Sequence, residues 1–145
     1  MKAIVQRVLS SSVEIDGEIV SDIGKGITAL IAIEVGDGID NIMKMAKKLV
    51  MLRIFEDETG KMNKSLLDIE GSVLAVSNFT VAGDCSKGQR PSYISAERPE
   101  KAAPLFEKLL KSISEFGVNV QTGRFGADMK VDIQNDGPVT VIIET

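Results

Sequence analysis

Ile27-Thr28-Ala29-Leu30-Ile31-Ala32-Ile33 is the stretch on which the fold turns. It is almost wholly apolar and ends at Gly36-Asp37-Gly38, so it reads as a strand buried on both faces. A helix follows, with Asp37 as its expected N-cap. Ile39, Ile42, Met43, Ala46, Leu49 and Val50 form its apolar stripe, and Lys44, Lys47 and Lys48 lie largely off it. Upstream, residues 2–9 alternate as a strand. Val13 and Ile15 carry that strand to the hairpin dipeptide Asp16-Gly17, and Ile19-Val20 begins the return.

Downstream, Leu52-Arg53-Ile54-Phe55 reads as a strand and Glu56–Gly60 as a polar turn. Lys61–Ser65 returns from that turn, and Val73-Leu74-Ala75-Val76 is a further strand. A second helix starts near Pro99, with Ala102, Leu105, Phe106, Leu109, Leu110, Ile113 and Phe116 on one stripe and Gly117 as its stop. Pro104 is expected to kink this helix or move its start later. Three strands close the chain, Val118–Thr122, Met129–Gln134 and Val139–Glu144, with Asp136-Gly137 reading as a turn between the last two. The expected fold is α+β: one domain over residues 1–145, with largely antiparallel sheets in two β layers and two covering helices. Two helices cannot cover both faces of so many strands. Either the strands split into two packed layers or a partner chain covers part of a sheet.

Composition narrows the chemistry. The 145 residues carry 17 basic and 21 acidic side chains, a net charge of −4. That argues against a general nucleic-acid coat and leaves room for RNA binding through a local basic patch. Histidine is absent, which removes Ser-His and Cys-His nucleophiles and histidine metal sites. Cys85 is the single cysteine, so no intrachain disulfide forms and a reducing, cytoplasmic setting fits. No phosphate-loop or dinucleotide fingerprint is present. The N-terminus turns polar too early for a signal peptide, and no apolar run reaches membrane-spanning length. The expectation is no metal and no cofactor. An enzyme built from this chain would work with hydroxyls, backbone groups, carboxylates or the substrate itself.

Four segments are unusual for a plain core. Ser77-Asn78-Phe79-Thr80 ends a buried strand, where hydroxyls and backbone N–H groups can face a ligand or merely tie down the strand end. Gly88-Gln89-Arg90-Pro91-Ser92-Tyr93 offers Arg90 to a phosphate or carboxylate, or is a solvated loop. In Gly123-Arg124-Phe125-Gly126-Ala127-Asp128-Met129, Phe125 and Met129 either wall a nucleobase site or plug the core. Asn135-Asp136-Gly137-Pro138-Val139-Thr140 is either a simple hairpin or a rigid backbone device.

Taken together, these segments resemble the D-aminoacyl-tRNA deacylases of the widespread bacterial and eukaryotic type, essentially end to end. Leu52-Arg53-Ile54-Phe55-Glu56-Asp57 and Gly60-Lys61-Met62-Asn63 belong to the match. Asn135-Asp136-Gly137-Pro138-Val139-Thr140 is one signature. The other is usually Ser-Gln-Phe-Thr, and here Asn78 stands one methylene short of the usual glutamine. The resemblance implies hydrolysis of D-aminoacyl-tRNA, and of glycyl-tRNA as well, by a homodimer with its sites at the interface. Ser77, Phe79 and Thr80 would serve catalysis. A cross-subunit Gly137-cis-Pro138 would exclude L-residues at the α-carbon. Asn78, Arg7, Arg90, Phe125 and Met129 would bind the substrate or the tRNA 3′ end. Neither DNA nor a membrane is implied as a partner. Thr80 lacks an evident base, which favours a positioning role with backbone N–H groups near Phe79 as oxyanion donors. A threonine-nucleophile hydrolase of small D-amino-acid esters, or a non-catalytic tRNA 3′-end binder, are the rival readings.

Overall fold

The computed structural model describes residues 1–145. In chain order the elements are β1 (Lys2–Ile15), β2 (Glu18–Ile23), β3 (Gly26–Ala32), α1 (Ile39–Met51), β4 (Phe55–Glu56) and β5 (Met62–Lys64). They continue with β6 (Ser72–Ser77), a 3-10 turn (Phe79–Ala82), α2 (Pro99–Ser114), β7 (Asn119–Thr122) and β8 (Lys130–Glu144). The main sheet runs β2-β1-β3-β6-β7, with β8 paired to β1 and β4-β5 forming a separate hairpin.

β1 pairs antiparallel with β2, β3 and β8, while β3–β6 and β6–β7 are parallel. The parallel pairs follow from the helices. A parallel neighbour needs a long crossover, and α1 and α2 lie within the two that connect β3 to β6 and β6 to β7. The apolar run of β3 sits in the middle of the sheet, which is why it carries no polar face.

The core has two layers. Ala3, Val5, Ile27, Ala29, Ile31, Val73 and Ala75 meet Leu49, Phe106, Leu109 and Ile113 of the helices. On the opposite face Leu74 and Val76 meet Val8, Val13, Ile15 and Ile23, where the distal halves of β1 and β2 curl back over the sheet. The α+β architecture with covering helices and two β layers is as the sequence suggests.

Five local expectations change. Of the strand expected over residues 52–55 only Phe55 is in one, as the first residue of β4. Lys130–Glu144 form one long strand, β8, rather than two strands joined by a hairpin. β1 supplies partners along its whole length, so the Asp136-Gly137 turn signal is absorbed as a bulge. Asp37 does not cap α1. The N-cap is Gly38, whose N–H donates to Asn41 Oδ1 at 3.1 Å. Asp37 instead accepts from the Met1 α-amino group at 2.7 Å and the Glu34 N–H at 2.6 Å. On α1 the buried methionine is Met45, and Ile39 and Met43 are exposed, Met43 at the edge of α2 where its sulfur accepts from Ser112 Oγ. Finally, α2 starts at Pro99 and runs through Pro104 without a later start. Proline there removes one backbone hydrogen bond near an exposed helix end.

Candidate active site

β6 is buried from Val73 to Val76 and emerges at Ser77. The chain leaves the sheet there: the Asn78 N–H donates to Ile31 O at 2.8 Å, and the 3-10 turn begins. Asn78 is extended, with φ −147°, and caps the turn with its side chain. Its Oδ1 accepts from the Thr80 N–H at 3.1 Å and from Thr80 Oγ1 at 2.5 Å. The shorter amide therefore spends its oxygen on its neighbour. It also fixes the Thr80 hydroxyl as a donor to an amide oxygen, which is no base. The Phe79 N–H is first in the turn and has no acceptor within it.

This turn edges a groove of about 830 Å³. Leu30, Val76, Val131 and Ile133 supply apolar wall, Ser77, Asn78 and Phe79 one edge, and Phe125 and Met129 another. Phe125 leans on Phe106 with ring centroids 6.2 Å apart. Tyr93, Glu97 and Arg98 complete the rim. Sequence reasoning left those three out of the site. The Phe79 and Tyr93 rings meet edge to face at 5.2 Å, and nothing in the linear spacing foretells that pairing. The structure thus brings Ser77, Asn78, Phe79, Phe125 and Met129 together around one space, with Thr80 tied to it through Asn78. Arg90 lies outside the lining, on an exposed loop.

Arg7, Gly137 and Pro138 form a second constellation, separate from this groove. Between Gln6 and Val8 on β1, β8 runs from Thr140 to Asn135, so residues 136–139 carry a bulge. The Gly137–Pro138 peptide is cis, and both residues are exposed. Gly137 has φ +112°, and a Cβ there would stand 2.9 Å from Arg7 Nη2 and 2.9 Å from Val139 Cγ2. Only glycine fits comfortably at that backbone angle and spacing.

Arg7 is buried beneath the bulge, which removes it from the solvent-facing surface expected of a tRNA contact. Its Nη1 donates to Ile54 O at 2.7 Å. Its Nε lies 2.9 Å from Asp136 Oδ2 but off the N–H direction, so that contact is an ion pair rather than a hydrogen bond. Asn135 Nδ2 bridges the base of the bulge, donating to Arg7 O at 2.9 Å and Val139 O at 3.0 Å. Ile54 immediately precedes the β4–β5 hairpin, which Asp57 staples. Its carboxylate accepts from Thr59 N–H and Oγ1, Lys61 N–H and Asn63 Nδ2 at 2.6–3.1 Å. These bonds, that from Asn63 first, hold the Asp57 carboxyl well below the usual carboxylate range. No group of three or more His, Cys, Asp or Glu side chains could hold a metal ion. No helix is long and apolar enough to cross a membrane.

Comparison with known proteins places this geometry. A family model described as D-Tyr-tRNA(Tyr) deacylase matches residues 4–144. The chain is 53% identical over 145 residues to a D-aminoacyl-tRNA deacylase of Thermoanaerobacter sp. (strain X514), covering 100% of this chain and 97% of the relative. It is 52% identical, with the same coverage, to one of Clostridium botulinum (strain 657 / Type Ba4). Among solved structures, one described as c-Myc DNA Unwinding Element Binding Protein superposes with a TM-score of 0.95 at 40% identity, over 100% of this chain and 99% of that one. A probable eukaryotic D-amino acid tRNA deacylase shares the fold, with a TM-score of 0.84 at 16% identity over 98% and 97%. With a model matched over nearly its whole length and relatives more than half identical, the chain belongs to the D-Tyr-tRNA(Tyr) deacylase family.

Proposed function

We propose that the protein hydrolyses the ester of D-aminoacyl-tRNA, releasing D-amino acid and tRNA, and that two copies are needed to complete each site. The observation that carries this reading is the separation within one chain of the groove at Ser77–Thr80 from the exposed Gly137–Pro138 bulge. Each constellation is incomplete alone, and a second copy can set one chain's bulge against the other's groove. An exposed sheet face supports the dimer. Lys2, Ile4 and Gln6 pair with Glu144, Ile142 and Thr140 on the face opposite Ala3 and Val5, and Ile142 is 67% exposed.

The groove would receive the terminal adenosine against Phe125 and Met129. Water attacks the ester carbonyl, and the negative charge developing on its oxygen meets the Phe79 N–H. Collapse of the tetrahedral centre breaks the bond to the ribose oxygen, which leaves with a proton. Thr80 acts as a positioning group, because an amide oxygen cannot take its proton and an unactivated threonine is a weak nucleophile. Ser77 and Asn78 shape the same edge. Rigid backbone at Gly137–Pro138 would read chirality at the α-carbon, which also admits glycine, so glycyl-tRNA is a second substrate. Arg7 holds that backbone in place.

Deacylation of matched D- and L-tyrosyl-tRNA by the purified protein tests the reading. Rapid loss of the D-ester with the L-ester spared is expected, and equal rates would refute it. A free D-tyrosine ester turned over as well as the tRNA ester would favour a small-ester hydrolase. Sedimentation should show a dimer, and an active monomer at micromolar concentration would remove the shared site.

A further inference from the structure

The loop between the 3-10 turn and α2 is a built arm rather than a slack connection. Asp84 and Ser92 exchange backbone hydrogen bonds at 2.8 and 2.9 Å, closing it like a small hairpin. Asp84 also accepts from the Ser86 N–H at 2.8 Å, and Ser95 Oγ ties the far side to Ala82 O at 2.8 Å. The root is pinned at the groove. Gly83 lets the Tyr93 ring come so near that a Cβ would stand 2.9 Å from it, and Tyr93 in turn lies against Phe79. Beyond this root the tip is exposed and carries Lys87 and Arg90. Neither makes an ion pair, whereas Lys2, Arg7, Lys64 and Lys130 all do.

The groove offers phosphate a single cation, Arg98 on its rim. Its walls are mostly apolar, and Glu97 and Asp128 are among its lining. A nucleoside seated there leaves its phosphates towards the rim, at which Tyr93 roots the arm. Lysines on the outer faces of α1 and α2 are also unpaired, but they alternate with Asp40, Glu100 and Glu107.

We propose that Lys87 and Arg90 form a phosphate-tracking arm, gripping the single-stranded RNA backbone just 5′ of the nucleoside in the groove. The inference rests on the reading above that an aminoacyl nucleotide occupies the groove. It assigns the arm to affinity and not to chemistry, since phosphate contacts position a nucleic acid without reading its sequence.

The test is the salt dependence of kcat/KM on D-tyrosyl-tRNA for the wild type and the double variant Lys87→Ala, Arg90→Ala. Each single-strand phosphate contact contributes about 0.7 to the slope of log affinity against log salt, so the double variant should be shallower by about 1.4. From 50 to 200 mM salt it should therefore lose about sevenfold less than the wild type. Lys44→Ala with Lys47→Ala on α1 should keep the wild-type slope. On 3′-D-tyrosyl-adenosine, which has no phosphate, the arm variant should match the wild type, which also shows that it is folded. An unchanged slope on tRNA, or an equal loss on the adenosine ester, overturns the arm. A wild-type protein inert on both substrates overturns the proposed function and the arm with it.

Discussion

The Ser77–Thr80 turn and the Asp136–Val139 bulge are both short breaks at a strand, and they are held in opposite ways. The turn closes on itself: Asn78 bonds Thr80 two residues away. The bulge is held by residues far along the chain, with Arg7 beneath it and Ile54 beneath Arg7. A self-contained turn can absorb a change such as asparagine for the family's usual glutamine, because its geometry depends on few partners. A bulge seated on a buried guanidinium has no such slack. Perturbations of the bulge should therefore be severe and non-local, and those of the turn mild.

The sharpest way to break that contrast is Gly137→Ala. The added methyl meets Arg7 Nη2 and Val139, at a φ that L-residues rarely adopt. Displacement of positioned groups by about 1 Å costs on the order of 100-fold in rate. D-tyrosyl-tRNA deacylation should fall by that order and D-over-L selectivity with it, and the thermal midpoint should drop as well, because the strained backbone angle and the contact with buried Arg7 belong to the folded state. Full selectivity in this variant would show that chirality is read elsewhere.

Arg7→Ala comes next. It strands the Ile54 carbonyl and the partly exposed Asp136 carboxylate. Removing one partner of a fully buried pair costs about 3–5 kcal/mol, and about 2 kcal/mol is expected after discounting for solvent at Asp136. Denaturant unfolding should report that loss, and the bulge, no longer seated on the guanidinium, should shift enough to lower activity by about tenfold or more. Arg7→Lys keeps the charge without the fork and should recover only part. A variant as stable and selective as the wild type would detach the bulge from Arg7.

In the turn, Thr80→Ala removes one neutral hydrogen bond, worth about 0.5–1.5 kcal/mol, so a loss of about tenfold at most is expected. Thr80→Ser should stay close to wild type. Rapid quenching should find no acyl group on the protein. An ester trapped on Thr80 would make it the nucleophile and erase the contrast between a forgiving turn and an exacting bulge.

The same contrast explains what could be read in advance. The Ser77–Thr80 segment was legible because its cues are local: a buried run, then small hydroxyl residues at the strand end. The β3 run and the α2 stripe were legible for the same reason, since periodicity records burial directly. Asp136-Gly137 misled because local turn chemistry was overridden by β1, a partner more than a hundred residues away. The alternation of β1 puts Arg7 on the same face as Ala3 and Val5, but nothing local shows what could satisfy a guanidinium there. Its partners, Ile54 and Asp136, lie in no window around residue 7. Tyr93 reached the groove only because Gly83 leaves room for its ring.

The smallest effect concerns the far end of the bulge's support. Asp57 staples the hairpin that begins beside Ile54, and its folded carboxyl titrates below the ordinary value of 3.8. A carboxylate held charged by the fold stabilises it fully above the unfolded value. That contribution fades as pH falls through the lower folded value. Wild-type stability should therefore decline on acidification below about pH 4 partly through this group. Asp57→Asn keeps one acceptor oxygen but turns an NH2 towards donors, so it should be slightly less stable at neutral pH and lose less between neutral and acid conditions. The staple is solvent-exposed, which keeps the effect small, and selectivity should fall less than in Arg7→Ala because Ile54 O still meets the guanidinium. Denaturant midpoints of both proteins at neutral pH and at pH 3 would measure it. Parallel pH curves would mean that the bulge rests on Arg7 alone, with the hairpin a bystander.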